Sequence, residues 1–214
     1  MDFYNGKDLL KKCQEMNAPI SDMMKLRETT TGSLSIEEVD AKLKKALSIM
    51  KQSATKPLAN PGKSIGGLIG GEAKLISDHG KTSDCVTGSM LSKAISYSMA
   101  VLEVNASMGL IVAAPTAGSS GVVPGVLLAL ADEHNIDDET LCKGLVNASA
   151  IGYLLMRNAS VSGAEAGCQA EVGSASAMAA SAVVELMGSG VVQVLTFKIY
   201  FCPAKVFCHS FSII

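Results

Sequence analysis

The chain of 214 residues contains no tryptophan, and aromatic residues make up only 4% of it. Large rings therefore cannot fill the core, and close contact between elements must depend on small side chains, which include 20 glycines. The chain also lacks an excess of charge of either sign, because it contains 18 Lys and Arg and 20 Asp and Glu. Without a broad positive field, we do not expect the chain to bind nucleic acid.

Secretion signals and membrane-spanning runs are absent as well. Residues 1–4 lack the basic-then-apolar order of a signal peptide, and Glu103 and Asn105 interrupt the longest apolar stretch, residues 99–115. The 6 cysteines form no Cys-x-x-Cys pair and are scattered along the chain, unlike a secreted disulfide framework. We therefore predict a cytoplasmic protein that does not associate with membranes.

Helical periodicity dominates what remains. Apolar residues recur at helical spacing in the first 50 residues, where Ser35 and Glu38 form a capping box. Further on, apolar runs without strand alternation cover residues 89–105, 119–131, 137–156 and 169–187. We predict an all-α fold with Gly/Ser-rich connecting loops. We expect a helical lead-in over residues 1–60, with a linker at 51–64, and a helical domain over 61–188.

The last residues have a different composition. Four of the 5 phenylalanines lie between residues 196 and 214, and the change begins near residues 188–191. A reading-frame error or truncated end would produce such an abrupt change. The alternative is an aromatic tail that docks on a partner. We therefore treat residues 189–214 as an atypical tail.

One Gly/Ser loop has the pattern of a ligand-binding turn. Residues 104–125 read VNASMGLIVAAPTAGSSGVVPG and lead into a predicted helix. Gly118 and Gly121 would let backbone amides approach a ligand, and Ser119 and Ser120 stand where the helix should begin. Free amides and the helix dipole there would hold a small anion, such as a substrate carboxylate. The alternative is an ordinary serine N-cap after a turn.

A second segment, residues 157–173, reads RNASVSGAEAGCQAEVG. Cys168 follows the Gly-rich part and precedes a long predicted helix, whose N-terminus would stabilise a metal-binding thiolate. The alternative is a small core residue, because an iron-sulfur cluster needs several thiolates and the spacing supplies no others nearby.

Both segments carry a resemblance to a known family. NASMGLIVAAPTAGSSGVVPG at 105–125 and GCQAEVG at 167–173, with IGY at 151–153 and MRNA at 156–159, closely resemble the α chain of iron-sulfur-dependent L-serine dehydratases. The resemblance covers residues 1–188. It implies an oxygen-sensitive lyase of amino-acid catabolism and gluconeogenesis that deaminates L-serine to pyruvate and ammonia. A 4Fe-4S cluster would act as a Lewis acid, and the chain would work in an oligomer with a β chain or domain.

The resemblance also implies roles for particular residues. Cys168 corresponds to a cluster ligand, and the loop at 116–121 would seat L-serine. The expected substrate contacts are Thr116, Gly118, Ser119, Ser120, Gly121 and Asn158. Asn105, Asn147 and Asn158 each begin Asn-Ala-Ser, and we expect buried amide hydrogen bonds from them near the site.

The general base is not identified by the resemblance. His79 and His134 are candidates by residue type, although both stand in polar stretches typical of solvated surface histidines. The base could also come from the partner chain.

The chain departs from the family pattern at its C-terminal end. Family members supply their remaining cluster cysteines in a downstream region that resembles nothing here, and Cys202 and Cys208 have the wrong neighbours. Two hypotheses follow: a cluster-dependent enzyme, or a non-catalytic truncated fragment that folds or docks on a partner without turnover. A third, a pyridoxal-dependent dehydratase, would require a lysine that forms an imine.

Overall fold

The computed structural model describes residues 1–82 and 85–188. Within these ranges it contains helices and no strand, so the all-α prediction is confirmed. The helices are α1 (Gly6–Met16), α2 (Ile20–Thr30), α3 (Ile36–Ala59), α4 (Glu72–His79), α5 (Gly88–Ala106), α6 (Val122–His134), α7 (Asp138–Asn158), α8 (Gly163–Ala166) and α9 (Cys168–Leu186). The predicted atypical tail, with Cys202 and Cys208, lies outside the described residues.

The helices form two compact units. Unit 1 combines residues 1–45 with the chain from residue 138 onward, and unit 2 consists of residues 46–137. Helix α3 therefore contributes its first part to unit 1 and its second part to unit 2. The predicted division into domains at residue 60 does not coincide with these units and stays a prediction.

Local sequence signals place most helix ends correctly. The four predicted apolar runs correspond to α5, α6, α7 and α9 within three residues at each end. The capping box also forms, since the Ser35 amide donates to Glu38 Oε2 (2.8 Å) and the Glu38 amide donates to Ser35 Oγ (3.1 Å).

The predicted linker at 51–64 is wrong over residues 51–59, which belong to α3. Pro57 lies in the last turn of this helix, where the loss of one N–H removes only one backbone hydrogen bond. Pro57 is buried, and the Asn60 amide closes the helix by donating to the Lys56 carbonyl (2.9 Å). Burial of the proline ring thus offsets the helix-breaking effect of Pro57. The helix therefore continues past residue 51, where the sequence predicted the linker to begin.

The core of unit 1 lies between α1, α2 and α7. Its fully buried members include Phe3, Leu9 and Ile20, and Tyr153 packs edge-on against Phe3 with ring centroids 5.5 Å apart. Cys13 belongs to this cluster. Burial, aided by the charge of Glu185, raises the pKa of Cys13 to about 11, so this thiol stays protonated at neutral pH.

A half-buried carboxylate ties the N-terminal segment to α2 and α7. Asp2 accepts hydrogen bonds from Arg27 Nε (2.9 Å), the Tyr153 hydroxyl (3.0 Å) and Arg157 Nη1 (2.9 Å). Burial acts to raise the pKa of Asp2, but these hydrogen bonds, led by that from Arg27, outweigh burial and hold the pKa well below its usual range. Asp2 is therefore ionised wherever the fold is intact near neutral pH.

Another carboxylate closes the first turn of α2. The residue before this helix is Pro19, whose side chain makes no capping hydrogen bond. Glu185 of α9 replaces that cap, because its Oε2 accepts from the amides of Ile20 (3.0 Å) and Ser21 (3.4 Å). Asn147 of α7 donates to the same oxygen (2.7 Å), so one carboxylate joins three helices.

In unit 2, α5 and α6 pack with their backbones in close contact. A Cβ atom added at Gly125 would clash with the Ser98 hydroxyl and come within 2.7 Å of the Ala94 carbonyl oxygen. One added at Gly121 would clash with the Ser98 carbonyl. Glycine at these two positions is therefore a packing requirement of the pair of helices.

Replacing Gly125 by alanine tests this packing. We expect Gly125→Ala to lower the free energy of unfolding by about 1–3 kcal/mol, because the added methyl group must displace the α5 backbone. Denaturant unfolding followed by circular dichroism measures the change. The matched control is Gly66→Ala, since a Cβ at Gly66 meets nothing within 4 Å. An equal effect of both substitutions would contradict the packing argument.

Removing the charge of Asp2 should have a pH-dependent effect. The pKa of Asp2 is lower in the folded protein than in the unfolded chain, where it is about 3.9. Its stabilising contribution is therefore present above about pH 4 and disappears as the pH falls through the folded pKa. We expect Asp2→Asn to lower the free energy of unfolding by about 1–3 kcal/mol at neutral pH and by less in acid.

Urea unfolding of wild type and Asp2→Asn at pH values on both sides of about 4 measures this difference. Asp22→Asn is the control, since Asp22 is exposed in the first turn of α2. A wild-type-to-variant difference that stays constant across the pH range would contradict the assignment to Asp2.

Candidate functional site

The predicted site residues fall in both compact units. Thr116, Gly118, Ser119, Ser120 and Gly121 belong to unit 2, between α5 and α6, whereas Asn158 and Cys168 belong to unit 1.

The hydroxyl groups of the loop at 116–121 hold the loop itself in shape. Ser119 is buried, and its Oγ donates to the Ala114 carbonyl (3.2 Å) and shares a hydrogen bond with Thr116 Oγ1 (3.1 Å). Ser120 is also buried and donates to the Ala117 carbonyl (2.7 Å). These hydrogen bonds hold the loop in a turn at the N-terminus of α6.

The start of α6 differs from both readings of the sequence. The helix begins at Val122 instead of Ser119, and its N-cap is Gly121, with no side-chain capping hydrogen bond. The serine N-cap alternative is therefore wrong. Gly121 has a structural reason in its contact with Ser98, while Gly118 is exposed at the turn. Their roles in substrate binding stay predictions.

Cys168 is the first residue of α9 and is exposed to solvent. The preceding Gly167 has φ of 83°, a left-handed conformation that glycine adopts without strain. No side chain caps the first turn of α9, so the thiol stands at an open helix N-terminus. The alternative of a small core cysteine is wrong, because Cys168 has little packing around it.

The three Asn-Ala-Ser asparagines have different environments. Asn147 is fully buried, donating to Glu185 and accepting from the Ser181 hydroxyl (2.6 Å), as predicted. The prediction of a buried amide is wrong for Asn158, which is exposed, and whose amide donates to the carbonyls of Tyr4 (2.9 Å) and Leu154 (2.8 Å). Asn105 is half-buried and donates to the Ala117 carbonyl (3.3 Å), which links α5 to the loop at 116–121.

The thiols of the described residues do not fit a complete iron-sulfur cluster. No group of three or more Cys, His, Asp or Glu side chains able to hold a metal occurs within residues 1–82 and 85–188. Cys13 is buried in the core of unit 1 and Cys142 is half-buried on α7. Because a 4Fe-4S cluster is held by several thiolates, this part of the chain offers one exposed candidate ligand, Cys168.

Cys85 has a different environment from the other thiols. It lies in unit 2, before α5, and its Sγ contacts the hydroxyls of Ser92 (2.8 Å) and Thr87 (3.3 Å). These hydrogen bonds, led by that from Ser92, lower the pKa of the Cys85 thiol.

Both candidate histidines are exposed. His79 ends α4 and His134 ends α6. This is the solvated position that their polar neighbours indicate.

Glu103 is a residue that sequence reasoning noted only as a break in an apolar run. It lies near the end of α5 and is 4% exposed. Its Oε1 accepts from the Ala73 amide (2.8 Å), while its Oε2 is the only buried side-chain polar atom of the described residues without a hydrogen-bond partner. The sequence signal that could have identified Glu103 was a charged residue inside an otherwise apolar helix.

Glu103 lines a cavity of about 350 Å³ in unit 2. The lining is mixed. Its polar side chains include Gln52, Lys56, Asn60, Lys63 and Ser107, and its apolar ones are Pro57, Val104 and Leu110. Within the described chain, no helix combines the length and apolar character needed to cross a bilayer.

Comparison with known proteins shows which proteins this chain is similar to. Residues 15–197 match the family model described as serine dehydratase alpha chain. The L-serine dehydratase, alpha chain, of Peptoniphilus asaccharolyticus is 39% identical over 190 residues, which is 89% of this chain and 65% of that protein. The probable L-serine dehydratase, alpha chain, of Bacillus subtilis (strain 168) is 40% identical over 186 residues, covering 87% of this chain and 62% of that one.

A third relative is longer. The L-serine dehydratase of Helicobacter pylori (strain ATCC 700392 / 26695) is 35% identical over 202 residues, covering 91% of this chain and 43% of that protein. The chain thus spans less than two thirds of the length of these curated relatives. The family match extends over most of the chain and includes the loop at 116–121, Asn158 and Cys168. The chain therefore belongs to the serine dehydratase alpha chain family.

Proposed function

We propose that the chain is the α part of an L-serine dehydratase, which converts L-serine into pyruvate and ammonia. The observation that carries this proposal is the similarity of residues 15–197 to proteins named L-serine dehydratase. The reaction removes the α-proton and the β-hydroxyl as water, and water then hydrolyses the resulting aminoacrylate. The relatives are named alpha chains, so the proposal includes a β chain or domain as a partner. The proposal also includes the cytoplasmic location and the oligomer that the sequence led us to expect.

In this proposal the turn at 116–121 receives the substrate carboxylate. The N-terminus of α6 opens at this turn, and its dipole favours an anion. The buried hydroxyls of Ser119 and Ser120 fix the turn, so the backbone around Gly118 is positioned before substrate arrives. Thr116 and Asn158 remain proposed contacts on the basis of the family resemblance.

A 4Fe-4S cluster is the proposed cofactor, with Cys168 as one ligand. Such a cluster supplies a Lewis acid when bound. Its remaining ligands would have to come from outside residues 1–82 and 85–188, because the described residues contain no further set of metal-binding side chains. The same observation supports the second candidate, a chain that folds or docks on a partner without completing a cluster.

Replacing the Cys168 sulfur by oxygen tests the first candidate. After anaerobic reconstitution of the full chain with iron and sulfide, with and without a β chain, we expect Cys168→Ser to lose bound iron. We expect L-serine turnover to fall by roughly 100-fold or more, because a direct ligand is removed. Iron content, visible absorbance and pyruvate formation are the measurements.

Cys142→Ser is the matched control, because Cys142 is half-buried on α7 in the same unit. It should leave iron and turnover near the wild-type values. If Cys168→Ser keeps both, Cys168 is not a ligand. If wild type stays colourless and inactive with the β chain present, the non-catalytic candidate is favoured.

A further inference from the structure

The cavity at Glu103 lies on a different side of α5 from the loop at 116–121. Successive residues of an α-helix are about 100° apart, so Glu103 and Ser96 share one side of α5 and Ser98 and Asn105 share another. The contacts agree with this division. Ser96 and Glu103 bind the backbone of Ala73 in α4, whereas Asn105 binds the loop at Ala117.

An amino acid has its ammonium and carboxylate groups on one carbon atom. A single bound serine therefore cannot reach both the cavity and the loop across the width of a helix. The cavity is a separate place from the carboxylate site proposed above.

Only one of the two carboxylate oxygens of Glu103 accepts a hydrogen bond from a backbone amide. Oε1 accepts from the Ala73 amide in the first turn of α4, where the N-cap, Gly71, has no side chain to offer. Oε2 is buried without a hydrogen-bond partner among the described residues. A buried carboxylate oxygen without a donor is costly, so this position favours a ligand that donates hydrogen bonds and carries positive charge.

A second acidic side chain reinforces that preference. The pKa of Glu72 is lowered chiefly by backbone hydrogen bonds, including that from the Gly70 amide, and also by its interaction with the Glu103 side chain and by the charge of Lys63. Carboxyl oxygens act mainly as hydrogen-bond acceptors, so two acidic side chains next to each other favour a ligand that donates hydrogen bonds.

The rim of the same cavity carries the opposite charge. Lys56 and Lys63 line it and are exposed. Within the described residues, neither ammonium group forms a salt bridge with a carboxylate. A ligand with its cationic end at Glu103 would thus meet two positive groups at its other end.

We propose that this cavity binds a small zwitterionic amino acid, with the ligand's ammonium group on Glu103 and its carboxylate on Lys56 and Lys63. L-serine is the probe of choice. A volume of about 350 Å³ is at the small end of ligand pockets, which suits an amino acid better than a nucleotide. The terminal torsion of a glutamate side chain is soft, and both oxygens turn together, so a small rotation moves Oε2 toward a cation and lengthens the bond from the Ala73 amide to Oε1.

Titration of the full-length chain without iron tests the site independently of turnover. Binding of L-serine, L-lactate and ethanolamine is measured by calorimetry and by amide chemical shifts. We expect L-serine to bind and to shift amides within residues 52–63 and 103–110. L-lactate lacks the ammonium group and ethanolamine lacks the carboxylate, so each should bind about 10- to 100-fold more weakly than L-serine.

Glu103→Gln removes the charge and keeps a carbonyl oxygen for the Ala73 amide, so the fold should persist. We expect it to weaken L-serine binding by about 10- to 100-fold, with an unchanged circular dichroism spectrum. Glu133→Gln, an exposed position of α6 in the same unit, should bind like wild type. The double change Lys56→Met and Lys63→Met alters only exposed groups and should also weaken binding.

Several results would overturn the proposal. These are wild-type protein that does not bind L-serine, Glu103→Gln that binds it as wild type does, or ethanolamine or L-lactate that binds as tightly as L-serine. Amide shifts confined to residues 116–121 would place the amino acid at the loop instead.

Discussion

Both compact units depend on a carboxylate that one helix contributes to the first turn of another. In unit 1, Glu185 of α9 accepts from the first amides of α2, whose N-cap is Pro19. In unit 2, Glu103 of α5 accepts from Ala73 in the first turn of α4, whose N-cap is Gly71. Neither N-cap residue can accept the orphan amides with its own side chain, so a distant acid satisfies them and fixes the packing of the two helices together.

In unit 2, small residues pack the helix that supplies this cap against its neighbour. Gly121 and Gly125 let α6 approach the backbone of Ser98 so closely that a methyl group would not fit. Helix α5 is then held on one side by backbone contact with α6 and on another by hydrogen bonds to α4. A helix fixed on two sides holds Glu103 in place.

Sequence predicted the parts of this structure that depend on neighbouring residues. The capping box at Ser35, the helix ends near residues 88 and 158, and the position of Cys168 at the start of α9 follow from signals within a few residues. The course of α3 through Pro57 did not, because burial of the proline ring outweighs its effect on the backbone.

The candidate site was predicted less completely, because several of its hydrogen bonds join residues that are far apart in the sequence. Glu103 bonds to a residue 30 positions away and Glu185 to one 165 positions away, and no periodicity or motif reports such pairs. The serines of the loop at 116–121 were recognised by type, but their bonds to Ala114 and Ala117 depend on the turn that they form. The residue types were enough to identify this segment as a candidate site. The hydrogen-bond partner of each hydroxyl group could be read only from the folded structure.

The shared use of Glu103 has a consequence for α4. One carboxylate cannot give its full charge to two donors, so a cation at Oε2 draws electron density from the bond between Oε1 and the Ala73 amide. The first turn of α4 has no capping side chain of its own to compensate for that change. Ser96 still holds the Ala73 carbonyl (3.1 Å), which keeps α4 in contact with α5 while the carboxylate is redistributed. A ligand that binds Oε2 of Glu103 would therefore be coupled energetically to the start of α4 through this one side chain.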